Sequence, residues 1–479
     1  VTFLRAHGLK NLGTRFMPFS DAASDALPMG ELLRLSLFQV SVGMATVMLL
    51  GTLNRVMIVE LGVPAMIVAV MIALPVLIAP FRAVLGFRSD TYRSAIGWKR
   101  IPYLWFGSLW QMGGLAVMPF ALLVLGGDPV HDVPFAGEVL AALAFLMTGL
   151  GLHMTQTAGL ALASDRATEE TRPRVVALLY VMFLMGMGVS ALLVGWFLRD
   201  FDPILLVRVV QGVALAGLVL NLVALWKQEH VTPMTRQERL APRPRFSDAW
   251  NDFLNGGQAG RLLVTVFVGT MAFNMQDVLL EPYGGEVLGL SVSATTLLTA
   301  VWAGGALLGF GFAARKLGAG TCHFRLAASG LLVGLAAFSA VILSAPFGSP
   351  ALFFFGAGLI GLGGGLFAVA TLTAAMALPS DGRAGRGLAL GAWGAAQATA
   401  VGVSIAIGGT LRDAVTAQAV AGRLGEALAA PVTGYSVVYH VEIALIFMTL
   451  VVLGPLVRRS FPPETKAGSR GIGLADFPT

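Results

Sequence analysis

Long apolar runs separated by short polar turns make up nearly the whole chain, and only one longer polar stretch interrupts them near the middle. A helix needs roughly 20 mostly apolar residues to cross a bilayer. With that ruler the pattern predicts about twelve spanning helices, near 33–58, 64–85, 101–125, 138–162, 174–198, 203–226, 262–281, 294–314, 324–345, 350–377, 386–410 and 436–457. A spanning β-barrel is excluded, because its strands alternate apolar and polar over ~10 residues and these runs do not. The polar interruption, "QEHVTPMTRQERLAPRPRFSDAWNDFLNGGQAG" at 228–260, reads as a cytoplasmic linker between two six-helix halves, 33–227 and 261–458. Within it Phe246, Trp250, Phe253 and Leu254 recur at helical spacing, with Ser247 as an expected cap. They predict a short amphipathic helix on the membrane surface.

Composition agrees: 56% of the 479 residues are apolar and 12% charged, with a mean hydropathy of +0.79. The charge changes the picture by setting an orientation. With both termini cytoplasmic, 27 of the 32 Lys and Arg fall on the inner side, Arg82, Arg88, Lys99 and Arg100 among them, and only Arg55, Arg199, Arg208, Arg412 and Arg423 fall outside. The net charge of +6 therefore describes topology, and no nucleic-acid partner is needed to explain it. Cys322 is the single cysteine, so no intrachain disulfide forms. No signal sequence precedes the first polar segment. Residues 1–32 are thus expected to remain cytoplasmic, as a basic and aromatic segment lying on headgroups or as a frayed tail, with 459–479 as a cytoplasmic C-terminal tail.

The halves resemble each other. "GLHMTQTAGLALASDR" (151–166) aligns with "FAVATLTAAMALPSDG" (367–382), placing Thr155 on Thr371 and Thr157 on Thr373; a weaker echo pairs Asn54 with Asn274. Repeated halves in one orientation, joined by a long cytoplasmic loop, are the layout of the major facilitator fold, so the expected class is an all-α membrane protein of that fold. The loop "GFRSDTYRSAIGWKR" carries Gly86, Asp90, Arg93, Gly97, Lys99 and Arg100 and resembles a stretched form of the G-x-x-x-D-R-x-G-R-K motif of that superfamily. An Asp there can cap a helix N-terminus while the basic cluster meets anionic headgroups and helix C-termini. The matching loop of the second half, "RKLGAGTCHFR", has no Asp, so a latch built on the motif would be one-sided.

Four stretches narrow the resemblance: "LLRLSLFQVSVGMATVMLLGTLNRVMIVELGVPA", "APFRAVLGFRSDTYRSAIGWKRIPYLWFGSLWQMGG", "NMQDVLLEPYGGEVLGLSVSATTLLTA" and "GIGLADFPT". Together they resemble the PucC/LhaA family, the bacteriochlorophyll-delivery branch of the major facilitator superfamily in purple phototrophs. The resemblance implies an assembly factor in the bacterial inner (intracytoplasmic) membrane that handles bacteriochlorophyll and helps insert or shield light-harvesting antenna polypeptides, leaning toward the core antenna over the peripheral one. The implied partners are those polypeptides, the reaction centre, bacteriochlorophyll or its synthesis enzymes, and membrane lipids.

Bacteriochlorophyll needs a magnesium ligand, a flat apolar slot and donors for its carbonyls. His153, ~18 Å from Asp165 along its helix and flanked by Thr155, Gln156 and Thr157, is the sharpest ligand position; a hydrogen bond to a neighbouring helix is the commoner use of such a residue. "GAGLIGLGGG" (356–365) and "GMGVSALLVG" (186–195) would admit a flat ring, or more often another helix. Trp98, Trp105, Trp110, Trp196, Trp226, Trp302 and Trp393 read first as interfacial belts, with contact to pigment open for some. In the seventh span Asp277 lies ~24 Å from Arg261, toward the outer side, before Pro282, Gly284 and Gly285 are expected to break the helix. Arg55, with Asn54 and Glu60 nearby, lies at a similar height on the first span. A pair between Arg55 and Asp277 or Glu281 would form a periplasmic gate or clasp, with Asn274 beside it.

Two other functions stay open. A proton-coupled transporter of a small solute is weakened by the scarcity of buried ionisable groups apart from His153, and a scaffold that transports nothing would bind antenna helices through its lipid face. No nucleophile motif, metal spacing or phosphate-binding loop points to an enzyme.

Overall fold

A computed structural model of the chain describes residues 22–24, 27–53, 56–57, 61, 63, 65–92, 94, 96–125, 135–198, 202–229, 231, 233, 235, 244–255, 258–290, 292–378 and 385–459. Among the described residues there is no β-strand, and twelve helices are long and apolar enough to cross a membrane. The protein is an all-α, multi-pass membrane protein of the major facilitator fold.

The first span is α1 (Met29–Val47), continued by a π-helical turn at Met48–Thr52. The second combines α2 (Ala65–Leu77), a 3-10 turn at Ala79–Phe81 and α3 (Arg82–Asp90). Pro75 and Pro80 explain that break, since each lacks the N–H that an unbroken helix requires. Spans three to six are α4 (Ile101–Leu125), α5 (Ala136–Arg166), α6 (Arg172–Phe197) and α7 (Pro203–Leu225). After the linker helix α8 (Phe246–Asn255), the seventh span runs as α9 (Ala259–Asn274), a 3-10 turn at Met275–Val278 and α10 (Leu280–Glu286). Then come α11 (Val292–Gly318), α12 (His323–Ser344), α13 (Pro350–Met376), α14 (Arg386–Val420) and α15 (Val432–Arg459).

Two details of the sequence reading are corrected. The seventh span breaks at Met275–Val278, one turn before the expected breakers, and Pro282, Gly284 and Gly285 lie inside α10. Pro282 is in the first turn of α10, where a missing N–H costs nothing. The apolar face of the linker helix packs on protein. Its Phe246, Ala249, Trp250 and Phe253 pack against Ala83 and Phe87 of α3 and Leu388, Ala389 and Ala392 of α14, with Phe246 edge-on to Phe87 at 5.6 Å. Ser247 lies within that helix and touches Asp248 instead of capping it. The proposed resting place of the N-terminal segment on headgroups concerns residues that lie mostly outside the described ones.

Across the middle of the molecule, α3 meets α14 and α6 meets α11. Glycine permits the first crossing: a Cβ on Gly86 would overlap the carbonyl of Gly387. The Gly-rich run of α13 serves the same purpose inside the second half. Gly361 fits against the backbone of Trp302, Gly365 against Ala306, and Gly363 against the carbonyl of Gly330, 2.7 Å from where a Cβ would be. In the run at 186–195, Gly186 packs on Val40 while Gly188 and Gly195 face open space. Gly363→Ala is therefore expected to lower the thermal midpoint of the detergent-purified protein, by an overpacking cost of about 1–3 kcal/mol. Gly188→Ala should leave the midpoint unchanged or raise it.

Candidate functional site

Between the halves lies a cavity of about 430 Å³, its walls contributed by both, within the roughly 300–1,000 Å³ usual for small-molecule sites. The first span supplies Val42, Thr46, Leu49 and Leu50, and the seventh supplies Val266, Thr270, Phe273 and Asn274. Leu49 and Leu50 lie in the π-helical turn, a distortion that often marks functional positions. Most of the lining is apolar or aromatic, including Phe183, Trp302, Phe310, Phe367 and Trp393. Trp302 and Trp393 thus leave the interfacial belt that the sequence assigned them, whereas Trp105, Trp110, Trp196 and Trp226 are exposed on the outer face.

The four residues grouped around His153 divide. His153 and Gln156 line the cavity, while Thr155 turns toward α4, its hydroxyl against Gly107. Thr157 accepts a 3.1 Å hydrogen bond from Arg82 Nε. His153 is buried, and its Nε2 lies 2.9 Å from the Pro75 carbonyl. A carbonyl only accepts, so the proton is on Nε2, and the lone pair on Nδ1 has no partner. One ring nitrogen thus ties the fourth span to the second, and the other is buried without a partner.

Arg82 is the clearest residue that sequence reasoning misplaced. Counted there among cytoplasmic basic residues, it is 2% exposed and lines the cavity. Position alone held the clue, eight residues inside Asp90 and hence ~12 Å deeper along the span. Glu442 was missed altogether. Fully buried in the last span, it accepts a 2.8 Å hydrogen bond from the Gln276 backbone N–H through Oε1, while Oε2 has no partner. A lone carboxylate in the middle of an apolar run was the available signal.

The outer-side gate cannot be drawn as expected, since Asn54, Arg55 and Glu60 lie outside the described residues. Its acidic members have other contacts. Asp277 accepts from the Gln276 side-chain amide at 2.5 Å, and Glu281 accepts from Thr299 at 2.6 Å. Asn274 donates to its own helix at the Thr270 carbonyl. Among the described residues, Arg412 at this end pairs with Glu286 at 2.5 Å and with Asp413 at 2.8 Å, and Tyr435 bonds both Arg412 and Glu286.

The opposite end is closed by charge. Asp90 accepts from the backbone N–H groups of Gly387 (2.9 Å) and Leu388 (2.8 Å), capping α14 from across the seam. Arg100 bonds Asp90 at 2.5 Å, Asp165 at 3.0 Å and Ser89 at 2.6 Å, and Arg386 approaches Asp165 at 3.5 Å. Arg100 is buried rather than set among headgroups, which corrects its expected role; Lys99 is exposed, and Arg93 lies outside the described residues. Burial alone would depress the Arg100 guanidinium, but Asp90 and Asp165 outweigh it and hold it above its ordinary value. Gly97 takes a φ of 86°, which turns the chain back so that Lys99, Arg100 and Ile101 donate to Glu229.

With this geometry in view, comparison with known proteins places the chain. The family described as "PUCC protein" matches residues 52–461. The chain belongs to the PucC family. It is 64% identical, over 98% of each chain, to an "Uncharacterized protein in puhA-bchM intergenic region" of Rhodobacter capsulatus. It is 53% identical to "Protein PucC" of Rhodovulum sulfidophilum over 85% of this chain and 90% of that one. Among solved structures it is similar to a bacterial homologue of the iron transporter ferroportin in an outward-facing state, with TM-score 0.68, 16% identity and coverage of 90% and 99%. It is also similar to the major facilitator proton:xylose symporter XylE, with TM-score 0.61, 14% identity and coverage of 89% and 95%. At such identities the likeness shows the fold alone.

The charge network at the closed end makes a quantitative expectation. Arg100→Ala strands Asp90 in a buried site and should cost about 3–5 kcal/mol, read as a lower unfolding midpoint. Asp90→Asn combined with Arg100→Met should cost less than the sum of the single changes in a double-mutant cycle.

Proposed function

We propose that this protein is a non-enzymatic assembly factor for the light-harvesting antenna of purple bacteria, holding bacteriochlorophyll in its central cavity while antenna complexes are built. Both termini then face the cytoplasm, the Asp90–Arg100 network closes the cytoplasmic side, and the cavity addresses the outer side or the membrane. The observation that carries the reading is the cavity itself: a mostly aromatic and aliphatic chamber between the halves, whose one charged lining residue is Arg82. A flat apolar macrocycle suits such walls better than a hydrated solute does.

The residues present also fit the pigment's metal. His153 lines the cavity with an unpartnered Nδ1, and its neutral imidazole would be the protein's donor to the pigment's magnesium. Trp302, Phe310 and Phe367 would flank the ring. Core antenna is the favoured destination, following the branch to which the sequence resemblance leans.

Protein purified in mild detergent from a phototrophic host is expected to carry bacteriochlorophyll, seen as near-infrared absorbance. His153→Ala should shift or weaken that band, and loss of the protein should reduce antenna absorbance in whole cells. Wild-type protein that arrives without pigment, from cells that make it, would count against the reading.

Buried Glu442, within electrostatic reach of Asp277, favours a second reading, a transporter driven by protons. The two separate on one substitution. A proton-driven transporter with Glu442→Gln loses uptake under a pH gradient in proteoliposomes, whereas the assembly reading expects Glu442→Gln cells to keep near-normal antenna absorbance.

A further inference from the structure

The cavity is lined mostly by apolar side chains, and the one charged residue in the lining, Arg82, marks an end that holds a cation with no anion. Arg82 is set on the first turn of α3, about 2% exposed, and among the described residues its hydrogen-bond partner is the Thr157 hydroxyl, which accepts from Nε. Its Nη2 is buried and unpaired. Among the described residues no carboxylate forms an ion pair with it. Leaving a guanidinium uncompensated in such a place costs several kcal/mol, far more than a packing role for the side chain would return.

Other donors share this end of the chamber. Tyr180 and Trp393 line the cavity, and the Tyr180 hydroxyl and the Trp393 indole N–H are both buried without a partner. Indole N–H can only donate, and a guanidinium has no acceptor, so both need an acceptor. Gln156 and Gln397 line the same chamber. The arginine is also held in position. A Cβ on Gly394 would fall on the guanidinium, and one on Gly391 would meet the Arg82 carbonyl, so glycine at both positions lets α14 close over the side chain and block its retreat.

We propose that this end of the cavity binds a carboxylate carried on a large apolar body, with Arg82 as counter-ion and the Tyr180 hydroxyl and Trp393 indole as further donors. The apolar walls take the body and the donor cluster takes the acid, so orientation in the chamber is set by the one charged group. A fork of guanidinium nitrogens matches the two oxygens of a carboxylate. The inference rests on the cavity as a cargo chamber, and it departs from the esterified pigment: bacteriochlorophyll has no free carboxylate for Arg82, so the cargo read here is a free acid, such as an unesterified precursor, in preference to its ester. A tetrapyrrole with an unesterified propionate and a long-chain fatty acid share that chemistry.

The test is the quenching of tryptophan fluorescence, Trp302 and Trp393 being in the wall, in protein reconstituted in nanodiscs. Two matched pairs serve as probes: pheophorbide a with its methyl ester, and oleate with methyl oleate. Wild type is expected to bind the acid of at least one pair about tenfold more tightly than its ester. Arg82→Gln should bring that ratio to about one while leaving the ester's affinity within twofold. Tyr180→Phe, which changes almost no volume, should weaken the acid about threefold or more and leave the ester alone, and it keeps the test open if Arg82→Gln does not fold. Acid preference for oleate alone upholds the site and removes the tetrapyrrole reading. Tetrapyrrole binding without acid preference overturns the site and keeps that reading. No binding of any probe, or a preference that survives Arg82→Gln, overturns the proposal.

Discussion

Everything about the cavity depends on the seam where α3 crosses α14. Two helices can meet backbone to backbone there because Gly86 and Gly387 carry no side chains, and Asp90 fastens them by taking two N–H groups that the first turn of any helix leaves unsatisfied. Arg100 neutralises Asp90 and reaches on to Asp165, so one guanidinium ties spans two, three and four to the start of span eleven. Arg100 and Asp90 are largely buried and Asp165 is partly exposed, and each is satisfied by more than one partner, the condition under which a buried ion pair holds geometry instead of draining stability. With that end fixed, the space above it is a chamber with a floor.

The floor has a different chemistry from the walls. Burying Arg82 was possible because the second span is not a continuous helix: Pro75 and Pro80 interrupt it, and α3 restarts at Arg82. The same interruption ties the second span to the fourth through the His153 bond to Pro75. The proline break, the histidine and the arginine therefore form one local device. It joins spans two and four below the cavity and leaves an imidazole nitrogen and a guanidinium nitrogen without partners beside it.

Much of the fold was legible from the apolar pattern, because twenty-residue apolar runs have few other uses in a chain of this length. The one residue at the seam whose geometry could be argued in advance was Asp90, as a carboxylate near a helix start has a clear electrostatic destination. What sequence could not reveal was depth and facing. Arg82, Arg88, Lys99 and Arg100 look alike in a charge tally, yet Arg82 and Arg100 are buried and Lys99 is exposed. Nor does a histidine's position say which ring nitrogen is taken, a matter settled by a carbonyl 78 residues away in sequence. The amphipathic linker helix shows the same limit. Its apolar face was readable, but a protein groove and a lipid surface present the same hydrophobic demand, and the α3–α14 seam met it first.

The two halves are alike in architecture and unlike in what they bring to the chamber. Thr157 in the fourth span engages Arg82, whereas its counterpart Thr373 in the tenth bonds back to its own helix at the Val369 carbonyl. The first half thus supplies the charged residue of the floor, with the Trp393 indole of the second half beside it. The second supplies aromatic wall, with Phe273, Trp302, Phe310 and Phe367 lining the cavity and Tyr180 of the first half stacked on Phe310 at 5.0 Å. A symmetric chamber would treat either end of a cargo alike. Here a molecule with one polar group and a broad greasy remainder has a single favourable orientation, since turning it around would strand the polar group against aromatic rings and leave the buried cation unpaired.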